Sequence, residues 1–303
     1  MKKVLLLLPL LLINACGQES INLSSNDNNV LSSSNNNKNQ NFLKTFTVAT
    51  YDINNYFQKY NHDNVKQLNL SKVIHNLKPE LVALQGVSNF NEIKTFNERY
   101  LKDLNYKFYS SEDLGSQNKS VILTKFSVIE TKKVSTKDNP YPTKNLFKLK
   151  LTVNPKYTFS VYTMNFRSVE SPNYLQAQRD KDIEDVKKYI IANQKTNFRD
   201  KYLVLGNLNG SPTQPDLQTM VDPRSSGVSF HDVITEDFGS DNSIFSYESK
   251  TKGKSRPDYV FVSVGMFDEY IYQSVKIHNQ DNKKLMQDVS EHYPVTATFN
   301  LPE

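Results

Sequence analysis

From Phe46 onward, strand-patterned and helix-patterned segments interleave along the chain without any repeat, and that order limits the fold more than any other feature. FTVATYDI (46–53) reads as a strand. Leu70, Val73, Ile74 and Leu77 fall at helical spacing, and Pro79 closes that helix. LVALQGV (81–87) reads as a buried strand, and Phe90, Ile93, Phe96, Tyr100, Leu101 and Leu104 mark an amphipathic helix. SVILTKFSVIE (120–130), LFKLKLTV (146–153) and TFSVYTMNF (158–166) read as three further strands. A helix is expected from Tyr174 to Asn193, with Ile183, Val186, Ile190 and Ile191 on one face. YLVLGNL (202–208), a loop-rich stretch, and the strands DYVFVSV (258–264), IYQSVKI (271–277) and PVTATF (294–299) complete the chain. Many strands with helices among them imply mixed sheets flanked by helices in one domain, residues 44–303, and two packed sheets fit the count. The 17 Tyr and 17 Phe are enough to fill a sizeable core although only 37% of the residues are hydrophobic.

The N-terminus has a different composition. MKKVLLLLPLLLINAC carries two lysines, an apolar run from Val4 to Ile13 and a small residue before Cys16. This is the pattern of a secretory signal. Its apolar run is shorter than the roughly 20 residues a membrane-spanning helix needs. Cys16 is the single cysteine of the chain, so no intramolecular disulfide is possible. Its place resembles a bacterial lipobox, in which that cysteine is lipidated after cleavage. The expected division is a signal peptide over 1–15, the lipidated Cys16 with a tether over 16–43, and the folded domain over 44–303. Fifteen of the 22 residues from Ser20 to Asn41 are Ser or Asn, which offer almost nothing to bury. A coil of about 27 residues, the length from Cys16 to the domain, spans roughly 30 Å, so the domain should stand clear of the lipid headgroups, on an extracytoplasmic face of the membrane. The net charge of +5 is too small to name a polyanionic partner by itself.

Six short motifs fall in order along the domain: TYDIN (50–54), LQGV (84–87), MNFRS (164–168), GNLNGSP (206–212), RPDYVFVS (256–263) and SEHYPV (290–295). Their order and flanking residues resemble the endonuclease/exonuclease/phosphatase superfamily, in its secreted nuclease-like branch, over nearly all of residues 44–302. In that branch the wording runs roughly TYNV, LQEV, NHLKS, LGDFN, LDYIFVS and SDHYPV. The resemblance implies a DNase I-like, four-layer α/β sandwich. It also implies a phosphoesterase dependent on Mg2+ or Mn2+ and acting on nucleic acid or another phosphodiester.

This sequence departs from that wording at several positions. Asp52 stands where the pattern has Asn. Gly86 replaces the metal-binding Glu, Asn165 replaces a His, Asn207 replaces the Asp that readies the attacking water, and Glu291 replaces an Asp. Asn209, Asp258 and His292 match the pattern. A hard divalent cation is normally held by one or two carboxylates, and Gly86 supplies no side chain. An amide at 207 does not take up a proton as a carboxylate does. Loss of a general base costs about 10²–10⁴-fold in rate. The resemblance therefore implies a membrane-anchored lipoprotein whose phosphoesterase domain is catalytically degenerate and acts as a binding or interaction scaffold. The alternative is a weak or altered metal-dependent phosphodiesterase using Asp52, Asn209, Asp258, Glu291 and His292, with Asp52 and Glu291 sharing a displaced cation. Plainer roles stay open at this point. His292 suits a hydrogen-bonded core histidine, Asp258 a partner of Arg256, Asn207 and Asn209 turn positions, and Asp52 a loop carboxylate satisfied by backbone amides. Lys250, Lys252, Lys254 and Arg256 suit either a phosphate-contacting rim or a solvated loop.

Overall fold

The computed structural model describes residues 44–54, 64–110, 119–133, 146–166, 173–194, 199–221, 230–239, 241 and 243–302. The signal, Cys16 and the tether, and Arg167 and Ser168 of the third motif, lie outside these residues.

Strands β1 (Thr45–Asp52), β2 (Leu81–Val87), β3 (Lys107–Ser110), β4 (Lys119–Thr124), β13 (Lys276–Ile277) and β14 (Val295–Asn300) form one sheet in the order β13-β14-β1-β2-β4-β3. Strands β5 (Ser127–Lys133), β6 (Phe147–Asn154), β7 (Tyr157–Asn165), β8 (Tyr202–Asn207), β9 (Phe230–Asp232) and β12 (Asp258–Ser263) form a second, in the order β5-β6-β7-β8-β12-β9. A two-stranded ribbon, β10 (Tyr247–Ser249) and β11 (Gly253–Ser255), is separate from both.

Each large sheet is antiparallel except for one central parallel pair, β1 with β2 and β7 with β8. A parallel pair needs a crossover. The helices Asn64–Leu77 and Asn173–Gln194 lie in the two connections.

The strand sequences explain the layering. Successive side chains point to opposite faces of a sheet, and both faces here are covered. Val48, Leu81 and Ala83 join Leu149, Val161, Leu203, Leu205 and Val260 in the core between the sheets. Their neighbours Ala49, Val82 and Leu84 face outward onto Leu70, Val73, Ile74, Ile93 and Phe96 of two helices. On the far side, Tyr162, Met164 and Val204 meet Ile183, Val186 and Ile190 of the helix Asn173–Gln194. The result is the four-layer α/β sandwich expected from the sequence. Each large apolar side chain buried this way contributes about 1.5–3 kcal/mol.

Two of the expected strands differ. SVILTKFSVIE is not one strand: β4 pairs with β2 in the first sheet and β5 with β6 in the second. The chain changes sheets at Lys125–Phe126, where Thr124 Oγ1 accepts the Phe126 N–H at 3.1 Å and the Phe126 ring enters the inter-sheet core. IYQSVKI is strand only at Lys276–Ile277, because the backbone turns at Gln273 (φ 62°).

Candidate functional site

The two parallel pairs end at the same edge of the sandwich. Asp52 is registered with Gln85, and Asn165 with Asn207. β12 runs antiparallel to β8 and begins at that edge, so Asp258 is registered with Asn207. Carboxyl ends of parallel strands are where open α/β sheets present their ligand sites. A polar bridge crosses between the sheets beneath them: Thr50 Oγ1 donates to Gln85 Oε1 at 3.1 Å, and Gln85 Nε2 donates to Thr163 Oγ1 at 2.9 Å.

Asp52 is buried, and three N–H groups converge on its carboxylate. Oδ1 accepts the Asn54 backbone N–H at 2.7 Å. Oδ2 accepts Asn207 Nδ2 at 2.7 Å and Asn165 Nδ2 at 3.3 Å. The amides are not free to turn over. Asn207 Oδ1 accepts the Asn209 backbone N–H at 2.7 Å, which directs its Nδ2 to Asp52. Asn209 Nδ2 donates to the Phe166 carbonyl at 2.7 Å and to Asn165 Oδ1 at 3.3 Å, which directs the Asn165 N–H groups the same way. Asn209 has a left-handed backbone (φ 50°), a conformation Asn tolerates in turns.

His292 and Asp258 form the second half of the site. His292 Nδ1 lies 2.9 Å from Asp258 Oδ2, and both side chains are buried. The same carboxylate oxygen accepts Ser246 Oγ–H at 2.7 Å, while Asp258 Oδ1 is buried without a hydrogen-bond partner. Burial pulls the His292 pKa down, but Asp258, Asp52 and Glu291 outweigh it and raise it to about 9. Ser290 ties the two halves together: its hydroxyl donates to the Asp52 carbonyl at 2.8 Å and accepts the His292 N–H at 3.1 Å. The Tyr247 ring packs on His292 with centroids 4.8 Å apart.

Glu291 turns outward. Its carboxylate accepts Ser249 Oγ–H at 2.9 Å and Tyr247 O–H at 3.1 Å, on the β10–β11 ribbon. Asp258 pairs with His292 and not with Arg256. Arg256 is instead buried against Asp232, with Nη2 2.7 Å and Nη1 3.3 Å from its two oxygens. Arg256 therefore does not belong to any solvent-facing rim. Lys250, Lys252 and Lys254 are exposed on or beside the ribbon.

Gly86 has φ 67°, at a break in the β2–β4 register between Leu84 and Val87. The sequence shows only a missing side chain there, but the backbone also adopts a conformation that favours glycine. Sequence reading also missed Ser246, Ser249 and Tyr247. They lie in the loop-rich stretch, where no periodicity marks a site. Ser290 and Gln85 sat inside quoted motifs, but nothing in the sequence gave them partners.

The donor set does not fit the Mg2+ or Mn2+ that the motif resemblance implies. Such a cation needs oxygen lone pairs aimed at one point, and the Asp52 oxygens are surrounded by N–H groups. Among the described residues, no three of His, Cys, Asp and Glu come together as a cation site.

No family model matches the sequence, and no curated protein matches it. Solved structures do. Truncated TDP2 from Caenorhabditis elegans superposes with a TM-score of 0.60 at 18% identity, over 85% of this chain and 98% of that one. An AP endonuclease from Archaeoglobus fulgidus gives 0.61 at 16% identity, over 84% and 100%. The 3' phosphatase NExo from Neisseria, bound to a product DNA hairpin, gives 0.59 at 15% identity, over 84% and 100%. At such identities the likeness is one of fold: the described residues adopt the DNase I-like α/β sandwich that these proteins share.

Proposed function

We propose that this chain is a lipoprotein, anchored through Cys16, whose domain keeps a phosphoesterase shell of the endonuclease/exonuclease/phosphatase kind and acts as a binding or interaction scaffold. The observation that carries the reading is the Asp52 carboxylate, both of whose oxygens already accept N–H groups. A metal ion would have to displace those donors, and residue 86 offers no carboxylate to help. The ligand class that suits the inherited shell is nucleic acid or another phosphodiester. Support comes from fold relatives solved with nucleic acid, namely NExo with its DNA hairpin and Danio rerio TDP2 with a single-strand DNA product.

The intact His292–Asp258 pair favours a second reading, a weak or altered divalent-metal-dependent phosphodiesterase. Hydrolysis of plasmid DNA and of a simple phosphodiester in millimolar Mg2+ or Mn2+ separates the two. The scaffold reading expects no turnover above buffer. Turnover that disappears in the Asn209→Ala/His292→Ala variant would establish the second reading instead.

A further inference from the structure

Asp52 and Asn207 end strands of different sheets, yet they form one 2.7 Å hydrogen bond at 4% and 2% exposure. Each side-chain amide here has its carbonyl end occupied: Asn207 Oδ1 by the Asn209 backbone N–H, and Asn165 Oδ1 by Asn209 Nδ2. Both amides therefore present N–H to the same oxygen of Asp52. A second carboxylate at 207 would set oxygen against oxygen at that distance, in a buried place where neither charge reaches water. An amide at 52 facing the present amide at 207 would give up the charged acceptor that both N–H donors now share.

We propose that positions 52 and 207 form a single exchange unit that holds one carboxylate, now carried by Asp52, and that Asn165 and Asn207 are positioning residues for it. The phosphoesterase wording has the amide at the first position and the acid at the second. The two departures are one charge moved across a hydrogen bond, not two independent losses. In the reversed arrangement, an acid at 207 still accepts the Asn209 backbone N–H, and an amide at 52 still accepts from Asn54. Asn165, whose Oδ1 is engaged by Asn209 Nδ2, keeps its N–H toward residue 52, so the exchange leaves only that longer 3.3 Å contact unfavourable.

A double-mutant cycle on the purified protein tests this by thermal unfolding at pH 7.5 without added divalent cation. Asp52→Asn and Asn207→Asp should each lower Tm by about 4–8 °C, and the double exchange should return to within about 2 °C of the parent. If Asn207→Asp alone does not fold, the double exchange must still fold. Losses that simply add in the double variant would overturn the proposal, as would a double variant that fails to fold. Because hydrolysis is not measured, the outcome is independent of whether the domain is a scaffold or a weak enzyme.

Discussion

His292 lies in a buried position with carboxylates around it, and its protonation is linked to the stability of the fold. Burial disfavours the imidazolium, but Asp258 at 2.9 Å, with Asp52 and Glu291, raises its pKa from 6.5 to about 9. A folded-state pKa above the unfolded one means a contribution that is complete below about pH 6.5 and is lost as pH rises through 9. A shift of this size corresponds to on the order of 3 kcal/mol. Urea unfolding at pH 6, 7.5 and 9.5 should show stability falling across that window, and His292→Gln should flatten the dependence. An unchanged slope in the variant would assign the effect to other groups. Asp258 is pushed up by burial, opposed by His292. At this scale His292, Asp258, Asn207 and Asn209 could all be singled out in the sequence, because the motifs name them. Their partners could not, because a hydrogen bond such as Asn207 to Asp52 spans 155 residues.

Gly86 belongs to the scale of the element. The β2–β4 ladder runs in register from Leu81 to Leu84 and resumes at Val87, and the irregular step holds Gly86 at φ 67°. A side chain in this region costs about 1–2 kcal/mol. Gly86→Ala should therefore lower the unfolding free energy by about that amount, read from the urea midpoint at constant slope. A neutral result would mean that the bulge relaxes without cost. The same strain would accompany Gly86→Glu, so restoring an acid there carries a folding cost separate from any metal it gains. Strand patterns were legible where an apolar run was long enough to be buried on both faces, as in LVALQGV and YLVLGNL. They misled where one run served two sheets: SVILTKFSVIE carries apolar residues on both sides of Thr124–Lys125, and only the partners of β4 and β5 reveal the crossing between them. The β10–β11 ribbon, with three residues in each strand, left no periodic trace.

Over the whole molecule, the N-terminus and the domain make separate demands. If Cys16 is the anchor, Cys16→Ala should move the protein from the membrane fraction to the soluble fraction with the domain still folded. Continued sedimentation with membranes would assign attachment to another part of the chain. Composition alone sets residues 1–43 apart from the domain, because burial and ordering entropy depend on residue type averaged over a segment. The interleaving of apolar strands and amphipathic helices likewise determined a layered α/β sandwich, since both faces of each central strand had to be covered. Tertiary structure alone decided that Asp52, Asn165, Asn207 and Asn209 form one closed network, that Arg256 serves Asp232, and that Glu291 faces the ribbon. These outcomes depend on side-chain direction at the ends of strands from two sheets. That direction is set by register and packing between segments far apart in the chain, and local pattern carries no record of it.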